Sequence, residues 1–275
     1  MHDRTILITG CSSGIGLCCA RGLVARGWRV FATARKPADV TRLAGEGLES
    51  LQLDLADSGS IHAALDDIMA RSGGRLDALF HNGAYGQPGA LEDLSRAALH
   101  ELFETNVLGW HDLTRHVLPV MRRQGHGRIV YNSSVLGFVA LRYRGAYTAS
   151  KYAIEGLADT LRLELHGTGI HVMLVEPGPI ESRFRANALL AYRRNIDAEH
   201  SVHRAAYERM EQRLEQEGPA VPFTLPPEAV LRKVIHAIES PRPRPRYYVT
   251  FPTYLFGTLR RVLSTRALDR LLYRV

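Results

Sequence analysis

Residues 9–16 read TGCSSGIG and directly follow the apolar run at residues 5–8, which reads TILI. Glycines at positions 10, 14 and 16 let the backbone turn tightly and come close to a bound group. The helix predicted to begin near Gly14 would present free N–H groups and its positive dipole end, which suits a pyrophosphate. A glycine-rich turn alone can simply connect two elements of secondary structure. A buried strand before it and a helix after it favour phosphate binding.

Short apolar runs alternate with longer helical periods from this turn onward. Strands are predicted at residues 5–9, 28–34, 51–53, 76–81, 128–132, 170–175 and 247–250. Helices are predicted at residues 14–27, 38–45, 58–71, 96–124 and 146–167, and from Pro226. This alternation predicts an α/β fold, a doubly wound parallel sheet of about seven strands with helices on both faces. The ligand crevice is then expected at the carboxyl ends of the strands.

This pattern divides the chain into two parts, the first of which contains a lid. Residues 1–250 form one predicted catalytic domain, and no internal repeat or second domain is visible. Within it, residues 180–225 are polar and arginine-rich without a strand pattern, so we expect a lid over the crevice. Residues 251–275 form a basic, amphipathic C-terminal tail.

The chain has 275 residues, 45% of them apolar, and a formal net charge of +7. All of this net charge lies in residues 240–275, which contain eight arginines and one aspartate. A neutral body with a basic end argues against a nucleic-acid-binding protein, in which basic residues would line the main domain. There is no run of roughly 18–20 apolar residues and no signal-peptide pattern. We therefore expect a cytoplasmic protein.

The three cysteines are Cys11, Cys18 and Cys19. Their number is odd, and no Cys/His spacing typical of a metal site is present. We expect reduced thiols that fill core spaces, and no metal site.

Tyr147 and Lys151 stand four residues apart and therefore share one face of the helix predicted at 146–167. Such a pair is common by chance, but here Ser134 lies thirteen residues upstream and the sequence PGPI occupies 177–180. Together with the pattern T-G-x-x-x-G-x-G at the start, these motifs resemble the short-chain dehydrogenase/reductase family over about residues 4–180. The resemblance implies a Rossmann-type fold.

The resemblance also implies the catalytic roles. Tyr147 would be the general acid/base, and Ser134 would hydrogen-bond the substrate oxygen. A free tyrosine, with a pKa of about 10, is a weak base at neutral pH, and a nearby ammonium lowers that pKa. Lys151 would supply this ammonium and hold the nicotinamide ribose, and Asn106 would support a water-linked proton path. Ser133 is the neighbouring alternative, although the spacing favours Ser134.

The end of the second strand carries Arg35 and Lys36 where an NAD-preferring dinucleotide fold has an acidic residue. Both cations can pair with a 2′-phosphate, which predicts NADP(H); the alternative is two surface charges on a loop. Other residues expected to contact the cofactor are Gly10, Ser12, Ser13, Gly14, Ile15, Gly16, Asp54, Leu55, Asn82, Gly83, Pro177, Gly178 and Ile180, besides Tyr147 and Lys151. His81 replaces a family asparagine, and we interpret it as a neutral hydrogen-bonding residue.

Within the family, the sequence is similar to bacterial NADP-dependent aldehyde reductases and to the retinol and 17β-hydroxysteroid dehydrogenase branch. This implies an apolar aldehyde, ketone or alcohol as substrate. It also implies a homodimer or homotetramer built on the two long helices. A non-enzymatic NADP(H)-sensing or scaffold protein with the same fold is the alternative hypothesis.

The tail combines aromatic residues with arginines. Ser264 or Thr265 can cap a short helix that carries Leu268, Leu271 and Leu272, with arginines at 266, 270 and 274 at four-residue spacing. Such a helix could pack on its own domain, lie at a subunit interface, or contact a membrane surface peripherally. These alternatives remain open at this point.

Overall fold

The computed structural model describes residues 4–216, 218 and 221–274. The strands are β1 (Thr5–Ile8), β2 (Arg29–Ala34), β3 (Glu49–Gln52), β4 (Ala78–His81), β5 (Gly127–Asn132), β6 (Ile170–Glu176) and β7 (Arg246–Tyr248). The helices are α1 (Gly14–Val24), α2 (Pro37–Gly45), α3 (Ser58–Ser72), α4 (Arg96–Phe103), α5 (Gly109–Gln124), α6 (Gly145–Glu164), α7 (Phe184–Asn195), α8 (Arg204–Glu215), α9 (Glu228–Glu239), α10 (Phe251–Val262) and α11 (Thr265–Leu272).

The seven strands form one parallel sheet in the order β3-β2-β1-β4-β5-β6-β7. The chain leaves β1 in one direction and returns to its other side with β4, so the strand order reverses between these two strands. A crevice opens at such a point, at the carboxyl ends of the strands. The predicted α/β class and doubly wound sheet are confirmed.

Side chains alternate across the sheet and fill a core on each face. Leu7 of β1 packs with α3, α5 and α6, whereas its neighbours Ile6 and Ile8 pack with α1, α2 and α9. A strand that is buried on both faces therefore reads as a continuous apolar run, which is the pattern seen at residues 5–8.

The observed boundaries lie up to three residues from the predicted ones, and one predicted helix is divided in two. The helix expected over 96–124 is divided by a π-helical turn at Glu104–Leu108, between α4 and α5. Such turns insert an extra residue into a helix and occur often at functional sites. The third strand begins two residues earlier than predicted, at Glu49, because its register is set by pairing with β2 rather than by its own apolar residues.

The segment 180–225 contains α7 and α8, which pack on each other and on the loop after β4. Tyr207 of α8 is buried; its hydroxyl accepts from Ala90 N and contacts Asp93. A backbone bridge between Ile180 and Leu225 closes the base of the segment. The polar sequence thus folds as a helical pair with its own small core, beside the crevice.

Candidate active site

The glycine-rich turn lies against the end of β4. Gly10 has φ +70°, and a Cβ there would meet Gly83 Cα at 2.6 Å; a Cβ on Gly16 would meet Gly10 O at 2.3 Å. Thr9 Oγ1 accepts hydrogen bonds from the backbone N of Asn82 and of Gly83, each at 2.9 Å. The close approach of two backbone segments therefore requires small residues in this turn.

Helix α1 begins at this turn without a side-chain cap. Ser13 is its N-cap residue, yet the Ser13 hydroxyl accepts no hydrogen bond from the first turn. The unpaired N–H groups and the dipole of the helix therefore face the turn, as an anion requires. This arrangement fits the pyrophosphate of a dinucleotide.

The ends of β2, β3 and β4 supply the remaining predicted cofactor contacts. Arg35 and Lys36 are exposed immediately after β2. The turn is held to this strand end by a hydrogen bond from Cys11 N to Thr33 O at 2.7 Å. After β3, the Asp54 carboxylate accepts from Ala56 N at 3.0 Å, and Leu55 is buried against the Gly83 backbone. The predicted set therefore converges on one edge of the sheet.

Asn82 forms hydrogen bonds between the strand ends at the same edge. Its Nδ2 donates to Thr9 O at 3.0 Å and to Gly10 O at 3.1 Å, and its Oδ1 accepts from Asn132 Nδ2 at 2.9 Å. One side chain thus connects the ends of β1, β4 and β5. Pro177 joins them from β6, since Val135 N donates to Pro177 O at 2.8 Å. Gly178 approaches Thr250 so closely that a Cβ would meet Thr250 Oγ1 at 2.2 Å.

The predicted catalytic residues meet at the carboxyl end of β5. Lys151 is buried on α6, its Nζ donates to Asn132 O at 2.7 Å, and this Nζ lies 5.5 Å from the centre of the Tyr147 ring. Ser134 interacts with the Tyr147 hydroxyl and accepts from Leu136 N at 3.1 Å. Ser133 instead faces Glu155. Ser134 is therefore the serine that lies beside the tyrosine.

Burial governs the acidity of this group. Burial raises the pKa of Tyr147, and the interaction with Ser134 opposes this rise. Burial lowers the pKa of Lys151 to about 7, and the charge of Glu155 opposes this fall. The direction for Tyr147 is opposite to our expectation from the nearby lysine, because desolvation of the buried hydroxyl is the largest influence on its pKa. A raised pKa keeps Tyr147 protonated at neutral pH, the form that can donate a proton.

Asn106 lies in the π-helical turn and is fully buried. Its Nδ2 donates to Tyr85 O at 2.9 Å and to Ser150 Oγ at 3.3 Å, and its Oδ1 accepts from Tyr85 N at 3.1 Å. The amide thus holds the loop after β4 against α6. This is a positioning contact, and the water-linked role of Asn106 stays a prediction.

His81 is buried among aromatic rings. Its Nε2 lies 2.8 Å from Thr114 Oγ1, which lies 2.8 Å from the Tyr131 hydroxyl. Burial, reinforced by the Lys151 charge, lowers the pKa of His81 to about 3. The ring is therefore neutral at physiological pH and serves in a hydrogen-bond chain, in agreement with its interpretation from the sequence.

Several residues near the catalytic group were missed by the sequence analysis. Phe184 of α7 lies edge-on to Tyr147, with ring centres 5.2 Å apart. Leu272 of α11 is buried with Leu136 and Val139, and Tyr147 packs against the same cluster. No local spacing could have found them, because each comes from a different part of the chain. They make the surroundings of Tyr147 apolar.

A second group missed from the sequence lies between α3 and α5. Ligand-capable atoms of His62, Asp112 and His116 lie within 4.8 Å of one another. The Asp112 carboxylate lies 3.2 Å from His116 Nδ1, 3.6 Å from His62 Nε2 and 3.9 Å from Arg115. Because Asp112 already has Arg115 and two imidazoles as neighbours, we interpret the group as a polar cluster and assign no metal to it.

The fold and this edge of the sheet define a dinucleotide-binding α/β protein whose carboxyl edge carries a tyrosine, a lysine and a serine. The family model for short chain dehydrogenases matches residues 4–192, and the chain belongs to this family. The chain is 41% identical over 270 residues to the uncharacterized oxidoreductase YbbO of Escherichia coli K12, covering 98% of this chain and 94% of that protein. It is therefore an oxidoreductase of the short-chain dehydrogenase type.

Two further relatives extend the comparison. Human 17-beta-hydroxysteroid dehydrogenase type 1 is 34% identical over 265 residues, which are 91% of this chain and 78% of that protein. A crystal structure of a variant actinorhodin polyketide ketoreductase with NADPH superimposes with a TM-score of 0.74 at 29% identity, covering 90% of this chain and 95% of that one.

Proposed function

We propose that the protein uses NADPH to reduce apolar aldehydes or ketones, and oxidises the corresponding alcohols in reverse. The observation that carries the proposal is the meeting of Tyr147, Ser134 and the buried Lys151 at the carboxyl end of β5. Apolar side chains around Tyr147, among them Phe184 and Leu272, support an apolar substrate.

The cofactor choice rests on the end of β2. Arg35 and Lys36 are exposed there, and neither has an ion-pair partner among the described residues. A 2′-phosphate would provide one, and a guanidinium can bind it with two parallel hydrogen bonds. The ketoreductase structure above contains NADPH, which supports the proposed cofactor, whereas the name of the human relative, a steroid dehydrogenase, supports the apolar substrate.

The proposed mechanism assigns one task to each side chain. When bound, NADPH supplies the hydride that reduces the carbonyl carbon. The Ser134 hydroxyl donates a hydrogen bond to the carbonyl oxygen and polarises it. Tyr147 then transfers its phenolic proton to that oxygen, and Lys151 stabilises the phenolate that remains. Asn106 keeps the loop at Tyr85 and helix α6 in register with this group.

Replacement of Tyr147 by phenylalanine tests the mechanism. We expect Tyr147→Phe to lower kcat by about 10²–10⁴-fold, since the proton donor is lost, while the NADPH affinity is unchanged. Tyr152→Phe is the matched control, because Tyr152 lies on the same helix with an exposed ring. Steady-state kinetics on aldehyde and ketone substrates, with NADPH binding by fluorescence, give both quantities. Undiminished turnover of Tyr147→Phe would contradict the assignment.

The same measurements separate the enzyme from the NADP(H)-sensing alternative. A protein that binds NADPH but reduces no member of a broad panel of aldehydes and ketones would support the sensor. Turnover that depends on Tyr147 would support the reductase, because a sensor needs no proton donor.

A further inference from the structure

Helix α10 exposes an apolar face to solvent. Phe251, Tyr254, Leu255 and Val262 are 55%, 50%, 39% and 69% exposed. Their spacing of three, four and eleven residues from Phe251 places them on one side of the helix. A helix normally buries such a stripe, so this face is without an apolar covering in the described parts of the chain.

Phe223 extends this surface from outside the helix. Its ring lies 4.9 Å from the ring of Phe251, and it is 55% exposed. Its backbone has φ +62°, a left-handed conformation that is rare for a bulky residue. The chain therefore holds a large aromatic ring in solvent at a conformational cost. We call Phe223, Phe251, Tyr254, Leu255 and Val262 the C-terminal apolar face.

Unpaired positive charge adjoins this face. Arg261 of α10 and Arg266, Arg270 and Arg274 in and after α11 are exposed. No ion pair involves these four arginines within the ranges that the structure describes. Arg266, Arg270 and Arg274 repeat every four residues, opposite Leu268 and Leu272, which pack inward. Asp269 is the one acidic residue of α11, so the outer side of this helix keeps a net positive charge.

We propose that the C-terminal apolar face binds an anionic phospholipid membrane peripherally. Aromatic and aliphatic side chains beside arginines match the boundary between acyl chains and negatively charged headgroups. A second copy of the chain fits less well, because a symmetric contact through this face would bring like charges together. No helix among the described residues is long and apolar enough to cross a membrane.

Helix α11 lies between the proposed membrane contact and the candidate active site. Leu268 and Leu272 pack in the cluster that includes Leu136 and Tyr147, so the membrane-facing helices adjoin the candidate active site. An apolar carbonyl compound dissolved in the bilayer would then reach Tyr147 without crossing much water. This consequence rests on the proposed function, whereas the membrane contact itself does not.

Vesicle flotation of the full-length protein tests the contact. We expect binding to phosphatidylcholine vesicles that contain phosphatidylglycerol, weaker binding to phosphatidylcholine alone, and loss of binding as salt is raised. Val262→Asp should reduce binding about tenfold or more, since it places a charge in the apolar face. Arg266→Glu should reduce it by roughly fivefold or more.

Matched controls lie on α8 and the loop before it. Val202→Asp changes a valine that is 86% exposed, and Arg209→Glu reverses an exposed arginine. Both should bind vesicles as the unchanged protein does. Equal losses in variants and controls, or no binding to anionic vesicles, would overturn the proposal. The proposal would also be overturned if the unchanged protein did not bind vesicles and Val262→Asp halved its molecular mass in light scattering. The face would then join two copies of the chain.

Discussion

Lys151 places a positive charge inside the fold. It is 2% exposed, its Nζ donates to Asn132 O at 2.7 Å, and the same Nζ lies 4.5 Å from the centre of the Trp110 ring. Burial lowers its pKa to about 7 from a usual value of 10.5. A buried ammonium is costly to the fold, so its presence is better explained by chemistry than by stability.

We expect Lys151→Met to be more stable than the unchanged protein at neutral and lower pH. Between pH 7 and 10.5 the unfolded lysine binds a proton that the folded one has lost, so the unchanged protein gains stability as pH rises. The advantage of Lys151→Met should therefore shrink with rising pH, by up to about 1.4 kcal/mol per unit. Urea unfolding between pH 6 and 9 measures it. Lys36→Met, at an exposed position, should follow the unchanged protein; an advantage for Lys151→Met that is independent of pH would contradict the argument.

Arg35 is expected to set the cofactor preference. Arg35→Ala should raise the KM for NADPH by about 10–100-fold and change that for NADH little, because only NADPH offers the 2′-phosphate. The matched control is Arg123→Ala, an exposed arginine on α5. Equal effects on both cofactors would show that Arg35 does not contact that phosphate.

At the scale of elements, β7 is short but carries an arginine that pairs with the carboxyl groups beneath the candidate active site. Arg246 pairs with Glu155 of α6 and Glu176 of β6 through Nη1, and its Nη2 lies 2.6 Å from Asp159. The Glu155 side chain faces Ser133, and Glu176 directly precedes Pro177 in the chain. Burial raises the pKa of both carboxyl groups, that of Glu176 to about 8. One arginine thus joins β7, β6 and α6 beneath the candidate active site.

We expect Arg246→Leu to destabilise the protein by about 3–5 kcal/mol near pH 8, because two buried carboxylates lose their partner. The loss should lessen toward pH 5, since a carboxyl group whose folded pKa is raised favours the folded state when protonated. Arg162→Leu removes a partly exposed partner of Asp159 and should cost less than about 1 kcal/mol. Thermal unfolding of both variants at the two pH values tests this, and equal costs would refute it.

At the scale of the whole molecule, α6 and the π-helical turn before α5 retain exposed leucines. Leu157 and Leu163 of α6 are 41% and 74% exposed, and Leu108, just before α5, is 46% exposed. The turn packs against α6, and exposed leucines on two packed elements are typical of a surface that another subunit covers. We propose that α5 and α6 form the subunit interface of a homodimer, or of one dimer within a tetramer.

Light scattering on a sizing column tests this interface. The unchanged protein should elute as a dimer or tetramer, and the double variant Leu157→Asp, Leu163→Asp should fall to a smaller species, because buried carboxylates oppose association. Leu190→Asp, at an exposed leucine on α7, is the control and should keep the mass unchanged. A monomeric unchanged protein would contradict the interface.

The order of strands and helices is largely predictable from the sequence. Apolar period and glycine position are local properties, so the strands, the turn at residues 9–16 and the pair Tyr147 and Lys151 are all visible in the printed residues. The family motifs then indicate which strand ends carry the site. The boundaries are less predictable, as at the π-helical turn around Asn106, because packing and pairing partners decide them.

Tertiary structure alone decided what surrounds that site. Phe184, Arg246 and Leu272 come from three distant segments, and the direction of the Tyr147 pKa depends on how deeply those segments bury it. Folding also divided the basic tail into an inner side that packs against the site and an outer side that carries unpaired arginines. Local sequence determines which elements form, whereas desolvation and contact between distant residues arise only once those elements are packed together.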